Sequence, residues 1–457
     1  MLKKLFGVVE GFYGFPWSMA DRKEIITFLG KKSLNTYIYA PKDDPLHRFK
    51  WEKSYDKDFI EEFRVLINHS INNNISISYA ISPGQSIKYS SEEDANTLMK
   101  KFSLFYDLGV RIFSLFLDDI PEKLANADDS KKFKNLFKAQ SYFINEINFK
   151  LKKIDKSNSL IICPTIYRGD PFNDQSKIFK EELNKDIYIF WTGPEVCSKN
   201  IPVSDALNFT DGFGVEPLYW DNFPVNDASM VSELHIGEYK GRDPELLNCS
   251  NGILLNPMNQ ARSSKIAISQ LSDYIKDPIN YNPKVSHKRA IEEIAPKCSK
   301  SFYAFSKFCT ESPLDSKKPI IYEKIMNPVI KKLESGNIIS GLKLLNKNIV
   351  EIDEMTTDIT KNCDERLLKE IKNWLDELKN WNETLKITIC LINSYTNSYS
   401  NGEMLIKKKS EIEKNIELLE SKLIELIKQK TNIGGNIFRE FVYKNLLKAR
   451  GYLTLYV

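Results

Sequence analysis

Eight short apolar segments, separated by stretches with helical spacing, constrain the fold of this chain more than any other feature. They are rich in β-branched and aromatic residues, as β-strands are. The segments are Leu5–Glu10, Asn35–Ala40, Ile75–Ile81, Ile112–Leu117, Leu160–Cys163, Ile187–Trp191, Val215–Trp220 and Ile253–Leu255. Between them lie stretches with apolar residues three and four apart, such as Ala20–Leu29, Asp58–Ile71, Glu92–Leu108 and Lys131–Ile154. Strands that alternate with helices predict parallel βαβ units.

Eight such units favour a closed barrel over an open sheet. In a (β/α)8 barrel the strands face both the barrel interior and the surrounding helices, which suits runs as apolar as these. The alternative is a doubly wound sheet, which places a Gly-rich phosphate loop after its first strand. Here that position reads EGFYGFPWS, and its bulky aromatics keep a phosphate away from the backbone. We therefore predict an α/β fold whose (β/α)8 TIM barrel occupies residues 1–282.

The pattern changes after about residue 283. Strand-like runs stop, and apolar residues recur at three- and four-residue spacing in His287–Phe308, Ile320–Leu333, Ile338–Ile352, Leu367–Ile392, Met404–Lys428 and Ile437–Leu453. Glycines separate several of these segments, at Gly336, Gly402, Gly434 and Gly435. This predicts an all-α helical bundle domain over residues 283–457. Its long helices leave open a homodimer formed through their faces.

Composition argues against several classes of protein. Lys and Arg number 65 against 61 Asp and Glu, and no dense basic stripe is present, so we expect no nucleic-acid partner. The seven cysteines are odd in number and have no CxxC spacing, and the four histidines are isolated. We therefore expect free thiols in a reducing compartment, without a metal or another cofactor.

The hydrophobic segments are too short for membrane insertion. No apolar run approaches the roughly 20 residues that a membrane-spanning helix needs. The N-terminus, MLKKLFGVVEGFYG, has two lysines, but glycines and Glu10 interrupt its apolar run. We therefore expect a cytoplasmic protein without membrane attachment; a leader removed before Met1 would leave secretion open.

Polar and aromatic residues follow the predicted strands, where a barrel places its catalytic groups. They are Lys42, Asp43, Asp44, Asp118, Asp119, Tyr167, Thr192, Trp220, Asn222, Asp227 and Asn256. The set combines carboxylates, amides, aromatics and one lysine, and it contains no Ser–His pair. Carboxylates and amides match sugar hydroxyls, and glycosidic cleavage needs a carboxylic acid to protonate the leaving oxygen. The inventory therefore suits carbohydrate chemistry.

Paired aspartates occur three times, and their contexts differ: Asp43–Asp44, Asp118–Asp119 and Asp128–Asp129. The pair 128–129 stands beside a Lys-rich helix start and is typical of a helix N-cap. The pair 118–119 directly follows the apolar strand FSLFL and precedes Ile-Pro, which places it at the barrel mouth. Two close carboxylates there would have pKa values pushed apart, one group ionised and one protonated. Acid catalysis requires such a pair, with one carboxyl group protonated beside one that is ionised.

The residues alone leave structural roles open for the other candidates. Lys42 could form a salt bridge with Asp43 or Asp44, and Asp227 could cap a helix. Tyr167 and Trp220 could be packing residues, and Asn222 and Asn256 could be turn residues. Cys163 could be a small buried residue of apolar character.

Taken together, seven segments resemble glycoside hydrolase family 84, the O-GlcNAcase and bacterial β-N-acetylglucosaminidase family. They are VVEGFYGFPWS, YAPKDDPLHR, LFLDDIP, CPTIY, WTGPEV, YWDN with the following ND, and GILLNP. These segments occur in family order and span roughly residues 5 to 262. The resemblance implies a (β/α)8 barrel followed by a helical domain, in agreement with the pattern above. One departure is Ile166, which stands where many relatives have Glu.

The resemblance also implies a role for each candidate. Asp118 would hold the 2-acetamido N–H of the substrate, and Asp119 would be the general acid and base. Asn222 would be an amide near the acetamido group. Sugar hydroxyls would be held by Lys42, the Gly11 backbone, Asp227 and Asn256. The acetyl pocket would be lined by Cys163, Tyr167, Thr192 and Trp220.

These roles imply a retaining exo-β-N-acetylglucosaminidase that acts on a glycan or glycoprotein with terminal β-linked GlcNAc. The substrate's acetamido oxygen would attack the anomeric carbon and form an oxazoline, so the mechanism needs neither an enzyme nucleophile nor a metal. Two alternatives remain: a protein that binds GlcNAc on glycoproteins without hydrolysis, and an endo-acting hyaluronidase, which needs a cleft open at both ends.

Overall fold

In a computed structural model, which describes residues 3–309, 321–396, 402–434 and 436–456, the chain forms two compact units. The first comprises Met1–Ala228 and Glu238–Ala290, and the second comprises Ser229–Gly237 and Ile291–Val457. The division thus falls at residue 290 rather than at the predicted residue 282. The second unit also includes a short segment from the loop that follows the seventh strand.

Eight parallel strands close the barrel of the first unit, and each pairs with its neighbours in sequence order. Closure comes from β1, which pairs with both β2 and β8. The strands are β1 (Leu5–Glu10), β2 (Thr36–Tyr39), β3 (Ser76–Ile81), β4 (Ile112–Phe116), β5 (Ser159–Cys163), β6 (Tyr188–Trp191), β7 (Pro217–Asp221) and β8 (Gly252–Leu255). The predicted TIM barrel is confirmed, and every predicted strand end lies within two residues of the observed one.

Six helices of the first unit begin at polar side-chain caps. Ser18, Asp56, Ser91, Asn126, Asn135 and Asn173 each accept a hydrogen bond from a backbone N–H of the first turn. The helices are α1 (Met19–Lys31), α2 (Lys57–Asn72), α3 (Glu92–Asp107), α4 (Ala127–Phe133), α5 (Leu136–Ile154), α6 (Asp174–Glu182), α7 (Val203–Phe213) and α8 (Ala261–Lys276). The stretch Lys131–Ile154, which has helical spacing, is divided between α4 and α5, because Lys134 is left-handed (φ 59°) and ends α4.

Alternate strand residues fill the barrel interior, as the two-residue period of a strand requires. One buried cluster joins Val9, Ile38, Phe116 and Phe190 from four different strands. The same cluster includes Cys163 on β5 and Trp220 on β7, together with Leu5, Ala40, Ala80, Ile161, Tyr188, Leu218 and Leu254. Its packing therefore extends to the carboxyl ends of the strands, where the candidate residues lie.

A buried ion pair secures the end of β7. Asp221 accepts hydrogen bonds from the Arg242 guanidinium and, at 2.8 Å, from the Tyr239 hydroxyl, and the two charged side chains are each 1% exposed. We expect Arg242→Met to lower the free energy of unfolding by about 3–5 kcal/mol, because it leaves a buried carboxylate without its cation. Urea denaturation measures this. Arg64→Met, which breaks an exposed pair with Glu61, should cost less than about 1 kcal/mol; equal losses would contradict a stabilising role for the buried pair.

The second unit is helical, as predicted. The helices that follow α8 are α9 (Pro283–Ile294), which crosses the unit boundary, α10 (Ser299–Ser306), α11 (Asn327–Glu334), α12 (Ile338–Asn362), α13 (Glu365–Thr396), α14 (Gly402–Ile427) and α15 (Ile437–Tyr456). The long helix α13 packs against α12, α14 and α15. The predicted single segment His287–Phe308 is two helices separated near Pro296, and the predicted start at Ile320 lies outside the described residues. Within the described ranges, no helix has the length and apolar character to cross a bilayer.

Candidate active site

A buried lysine brings the two central carboxylates together. Lys42, which follows β2, hydrogen-bonds Asp118 through its Nζ atom, and the same nitrogen lies 3.8 Å from Oδ2 of Asp119. Burial favours the neutral amine, but the two carboxylates outweigh it and hold the pKa of Lys42 above its usual value. Lys42 is therefore an ammonium ion. Asp44 instead accepts from the hydroxyl groups of Tyr39 and Tyr55, so it has a structural role within its loop.

The backbone at Asp119 explains how neighbouring residues can share one site. Side chains of consecutive residues in a strand point to opposite faces. The chain leaves β4 after Phe116, and Asp119 then adopts a left-handed conformation with φ 55°. This conformation costs most residues about 1–2 kcal/mol and is best tolerated by Gly, Asn and Asp. With it, the carboxylates of Asp118 and Asp119 both face Lys42.

Two tyrosines donate to Asp119. The Tyr13 hydroxyl lies 2.6 Å from Oδ2, and the Tyr167 hydroxyl lies 3.2 Å from Oδ1. Burial raises the pKa of Asp119, but the Lys42 charge and the two hydroxyl groups outweigh it, so the pKa lies below its usual value. Asp119 is therefore ionised at neutral pH in the ligand-free site. The resemblance makes Asp119 the general acid, yet it does not hold a proton before a ligand binds.

Two candidate residues each have a buried oxygen without a partner among the described residues. Oδ1 of Asp118 and Oδ1 of Asn256 accept no hydrogen bond from the described residues. Buried acceptors are almost always satisfied, so an N–H or O–H group of a ligand is a suitable partner. The Asn256 side chain is oriented by its donation to Asn222 Oδ1 at 2.9 Å, an oxygen that also accepts from Trp220 Nε1 at 2.9 Å. These contacts form a buried network rather than a solvated turn.

The remaining wall is compact and largely apolar. Trp220 and Cys163 belong to one core cluster, and Tyr167 packs against it. A Cβ atom at Gly11 would come within 2.4 Å of the Trp220 ring, so only glycine lets the indole lie against this backbone. Thr192 fixes the neighbouring loop, because its N–H donates to the Tyr167 carbonyl at 2.9 Å. Burial raises the pKa of the Cys163 thiol well above its usual value, so the cysteine is a neutral wall residue.

Asp227 ties two loops of the mouth together. Its Oδ2 accepts from the Tyr13 backbone N–H at 2.8 Å, which links the loop after β7 to the loop after β1. Burial raises the pKa of Asp227 above its usual value. The described contact is therefore a cross-link between loops rather than a helix cap.

Sequence reasoning missed two residues of the site, Tyr13 and Arg48. Both stand inside segments used for the family resemblance, GFYG and PLHR, but nothing in their spacing shows that they meet. Arg48 Nη1 donates to the Tyr13 hydroxyl at 2.8 Å. The cap of α4 is Asn126 rather than the pair 128–129, and Asp129 is buried with its carboxylate on the backbone N–H groups of Tyr89 and Ser90.

The departure at position 166 does not disturb the local backbone. Gln175 holds Ile166 through both of its backbone groups, at 3.0 and 2.8 Å. In the part of the chain that the structure describes, no three His, Cys, Asp or Glu side chains are arranged to hold a metal ion.

Three comparisons relate the chain to known proteins. The family model of beta-N-acetylglucosaminidase matches residues 6–307. The chain is 37% identical over 282 residues to Protein O-GlcNAcase of Rattus norvegicus and of Mus musculus, a match that covers 60% of this chain and 30% of each relative. Among solved structures, a mutant of the Thermobaculum terrenum O-GlcNAc hydrolase matches with a TM-score of 0.93 and 30% identity, over 98% of this chain and 97% of that one. The structure of CpGH84B matches with a TM-score of 0.83 and 27% identity, over 97% and 77%.

Proposed function

The chain belongs to the beta-N-acetylglucosaminidase family of glycoside hydrolases, and from that premise we propose that it is a retaining exo-β-N-acetylglucosaminidase of the O-GlcNAcase type. Its substrate is a glycoprotein or glycan with terminal β-linked GlcNAc. One observation carries the proposal: Asp118 and Asp119 lie on a single buried lysine, while Oδ1 of Asp118 accepts no hydrogen bond from any described residue. The chain spans about a third of the length of the curated relatives that it matches, so their substrates are proposals here.

The first chemical step uses the substrate's own nucleophile. Oδ1 of Asp118 accepts the acetamido N–H, and the negative charge of the carboxylate stabilises the positive charge that develops on the acetamido group. The acetamido oxygen attacks the anomeric carbon, the bond to the leaving oxygen breaks, and an oxazoline forms. Lys42 holds Oδ2 of Asp118, which fixes the orientation of that carboxylate. Because the attack is intramolecular, its effective molarity is high once the acetyl pocket aligns the group.

Asp119 transfers the proton in both steps. A bound pyranose removes water from its carboxylate, which is one-third exposed in the free site, and such desolvation raises a carboxyl pKa. The protonated group then protonates the leaving oxygen, and the resulting carboxylate deprotonates the water that opens the oxazoline. Two inversions at the anomeric carbon give net retention.

The remaining residues hold the sugar in an exo-type pocket. We assign the acetyl pocket to Tyr167, Trp220, Cys163 and Thr192, and an amide contact near it to Asn222. The hydroxyl groups far from the scissile bond are assigned to Asp227 and Asn256, and a further sugar hydroxyl is assigned to Lys42 and the Gly11 backbone. Asn256 is buried and Asp227 is half-buried, which supports this assignment, since a carboxylate and an amide are suitable partners for the hydroxyl groups of a sugar.

A small substrate panel tests the proposal. We expect release of 4-nitrophenol from 4-nitrophenyl β-N-acetylglucosaminide, with the β-anomer of GlcNAc as the first product by proton NMR. Thiazoline mimics of the oxazoline should inhibit strongly because they resemble the intermediate. Sugar binding without turnover would support the alternative of a binding protein. Cleavage that survives capping of the substrate's terminal hydroxyls would support an endo-acting hyaluronidase instead.

A further inference from the structure

Arg48 is a buried cation with an unusual partner. It lies in the loop after β2 and is 6% exposed. Its Nη1 atom donates to the Tyr13 hydroxyl at 2.8 Å, and its guanidinium lies 5.4 Å from the ring centres of both Tyr13 and Phe49. Among the described residues, no carboxylate forms an ion pair with it. A buried charge without a counter-ion is costly, so this arrangement calls for a role beyond packing.

The contact with Arg48 fixes the direction of the Tyr13 hydroxyl. A guanidinium can only donate, so the tyrosine oxygen is the acceptor in that bond. Burial raises the pKa of Tyr13, which therefore keeps its proton. That single proton is directed to Oδ2 of Asp119, at 2.6 Å. The two hydrogen bonds that connect Arg48, Tyr13 and Asp119 therefore both donate in the direction of Asp119.

The two oxygens of Asp119 are consequently unequal. Oδ2 accepts from Tyr13 and also lies 3.8 Å from the Lys42 ammonium. Oδ1 accepts the longer hydrogen bond, 3.2 Å, from Tyr167. Donors and positive charge stabilise an unprotonated oxygen, so a proton on this carboxyl group is more stable on Oδ1.

The loop around Arg48 is held firmly enough for a positioning role. Lys101 donates to the backbone carbonyls of Leu46 and Trp51, each at 2.6 Å. The His47 ring contacts the Ala80 carbonyl at 2.8 Å, and the His47 carbonyl accepts from the Ser82 N–H at 2.9 Å. The backbone on both sides of Arg48 is therefore tied to α3 and β3, which limits the positions that the guanidinium can take.

The geometry points to Arg48 as a positioning residue for the acid–base carboxylate: through Tyr13 it keeps Oδ2 of Asp119 an acceptor, so that the proton exchanged with the substrate is carried on Oδ1. This inference rests on the proposed function of Asp119. The titratable and charged groups that face Asp119 are Tyr13, Lys42, Arg48, Asp118, Cys163, Tyr167 and Asp227.

The test compares Arg48→Met with wild type on a GlcNAc-serine peptide and on the 4-nitrophenyl glycoside. General acid catalysis contributes about 10²- to 10⁴-fold, and we expect the loss of Arg48 to remove about tenfold of it from kcat on the peptide and about twofold on the activated glycoside. Arg48 stabilises the carboxylate, so its removal raises the pKa of Asp119 and moves the basic limb of kcat/KM on the peptide to higher pH. Arg64→Met, on the exposed face of α2, should match wild type in every readout.

Three further variants keep the test decisive if Arg48→Met folds poorly. Tyr13→Phe removes the hydroxyl that connects the two side chains and should reproduce the leaving-group dependence, and the double variant should lose little more than either single one. Arg48→Lys should recover part of the peptide activity, because the positive charge is kept. A rise in KM at unchanged kcat, or lower stability with an unmoved pH limb, would overturn the inference. Wild type without hydrolysis would instead overturn the proposed function itself.

Discussion

Asp119→Asn should lower kcat by about 10²- to 10⁴-fold on a GlcNAc-serine peptide, whereas the first chemical step on 4-nitrophenyl β-N-acetylglucosaminide should slow far less. A serine alkoxide leaves poorly and needs the proton that Asp119 supplies. The 4-nitrophenolate ion leaves without one. Asparagine has nearly the same shape as aspartate, so the comparison isolates proton transfer from packing. Steady-state and pre-steady-state rates on the two substrates measure the difference.

A second nucleophile separates the acid role of Asp119 from its base role. In the variant, opening of the oxazoline by water becomes the slow step on the activated glycoside, because the general base is gone. Azide ion is a strong nucleophile that needs no base, so it should accelerate the variant and give a β-glycosyl azide, while wild type should hardly respond. Equal losses on both glycosides, with no effect of azide, would remove Asp119 from the role of acid and base.

Asp118→Asn should reduce kcat by about 10²- to 10³-fold on every substrate, including those with good leaving groups. The reason is that, in the proposed mechanism, Asp118 acts on the nucleophile rather than on the leaving group. Its carboxylate would stabilise the charge on the acetamido group as the oxazoline ring closes, and a neutral amide would do this poorly. A leaving-group series at saturating substrate gives the measurement, and a uniform loss is the expected pattern.

Inhibitor binding provides a direct check on the contact with Asp118. The ring nitrogen of a thiazoline inhibitor takes the place of the acetamido nitrogen and, once protonated, donates to the Asp118 carboxylate. A hydrogen bond to a charged group contributes about 1.5–3 kcal/mol, so the inhibitor should bind about 10- to 100-fold less tightly to Asp118→Asn. Thermal unfolding should be followed in parallel, since the substitution also leaves Lys42 buried beside a neutral amide. An unchanged inhibition constant in a folded variant would mean that this nitrogen does not bind Asp118.

The barrel could be predicted from sequence because each strand is short, apolar and bounded by polar residues. Helix ends were harder to predict from sequence where the break between two helices depends on the backbone conformation of one residue. The segment Lys131–Ile154 has continuous helical spacing, yet the left-handed conformation of Lys134 divides it. The next residue, Asn135, caps the start of α5 and is the one local sign of this break.

The candidate site likewise contains residues that could be placed from sequence and residues that could not. Residues that directly follow a strand could be placed at the mouth, because the strand ends fix their position. Tyr13 and Arg48 are 35 positions apart, and Tyr13 and Asp119 are 106 apart, so their contacts depend on how three loops fold over the barrel. The ionisation of Asp119 could not be predicted either, since the charge of Lys42 decides it. In the sequence, Asp43 and Asp44 directly follow this lysine and were alternative partners for it.

The left-handed backbone at position 119 limits which residues can replace Asp119. The proposed proton transfer needs a carboxyl group, and the turn needs a short side chain that tolerates positive φ. Glutamate satisfies only the first requirement, and alanine satisfies neither. Asparagine satisfies the second alone, so a library at this position should yield folded but slow proteins with asparagine and less stable ones with most other residues.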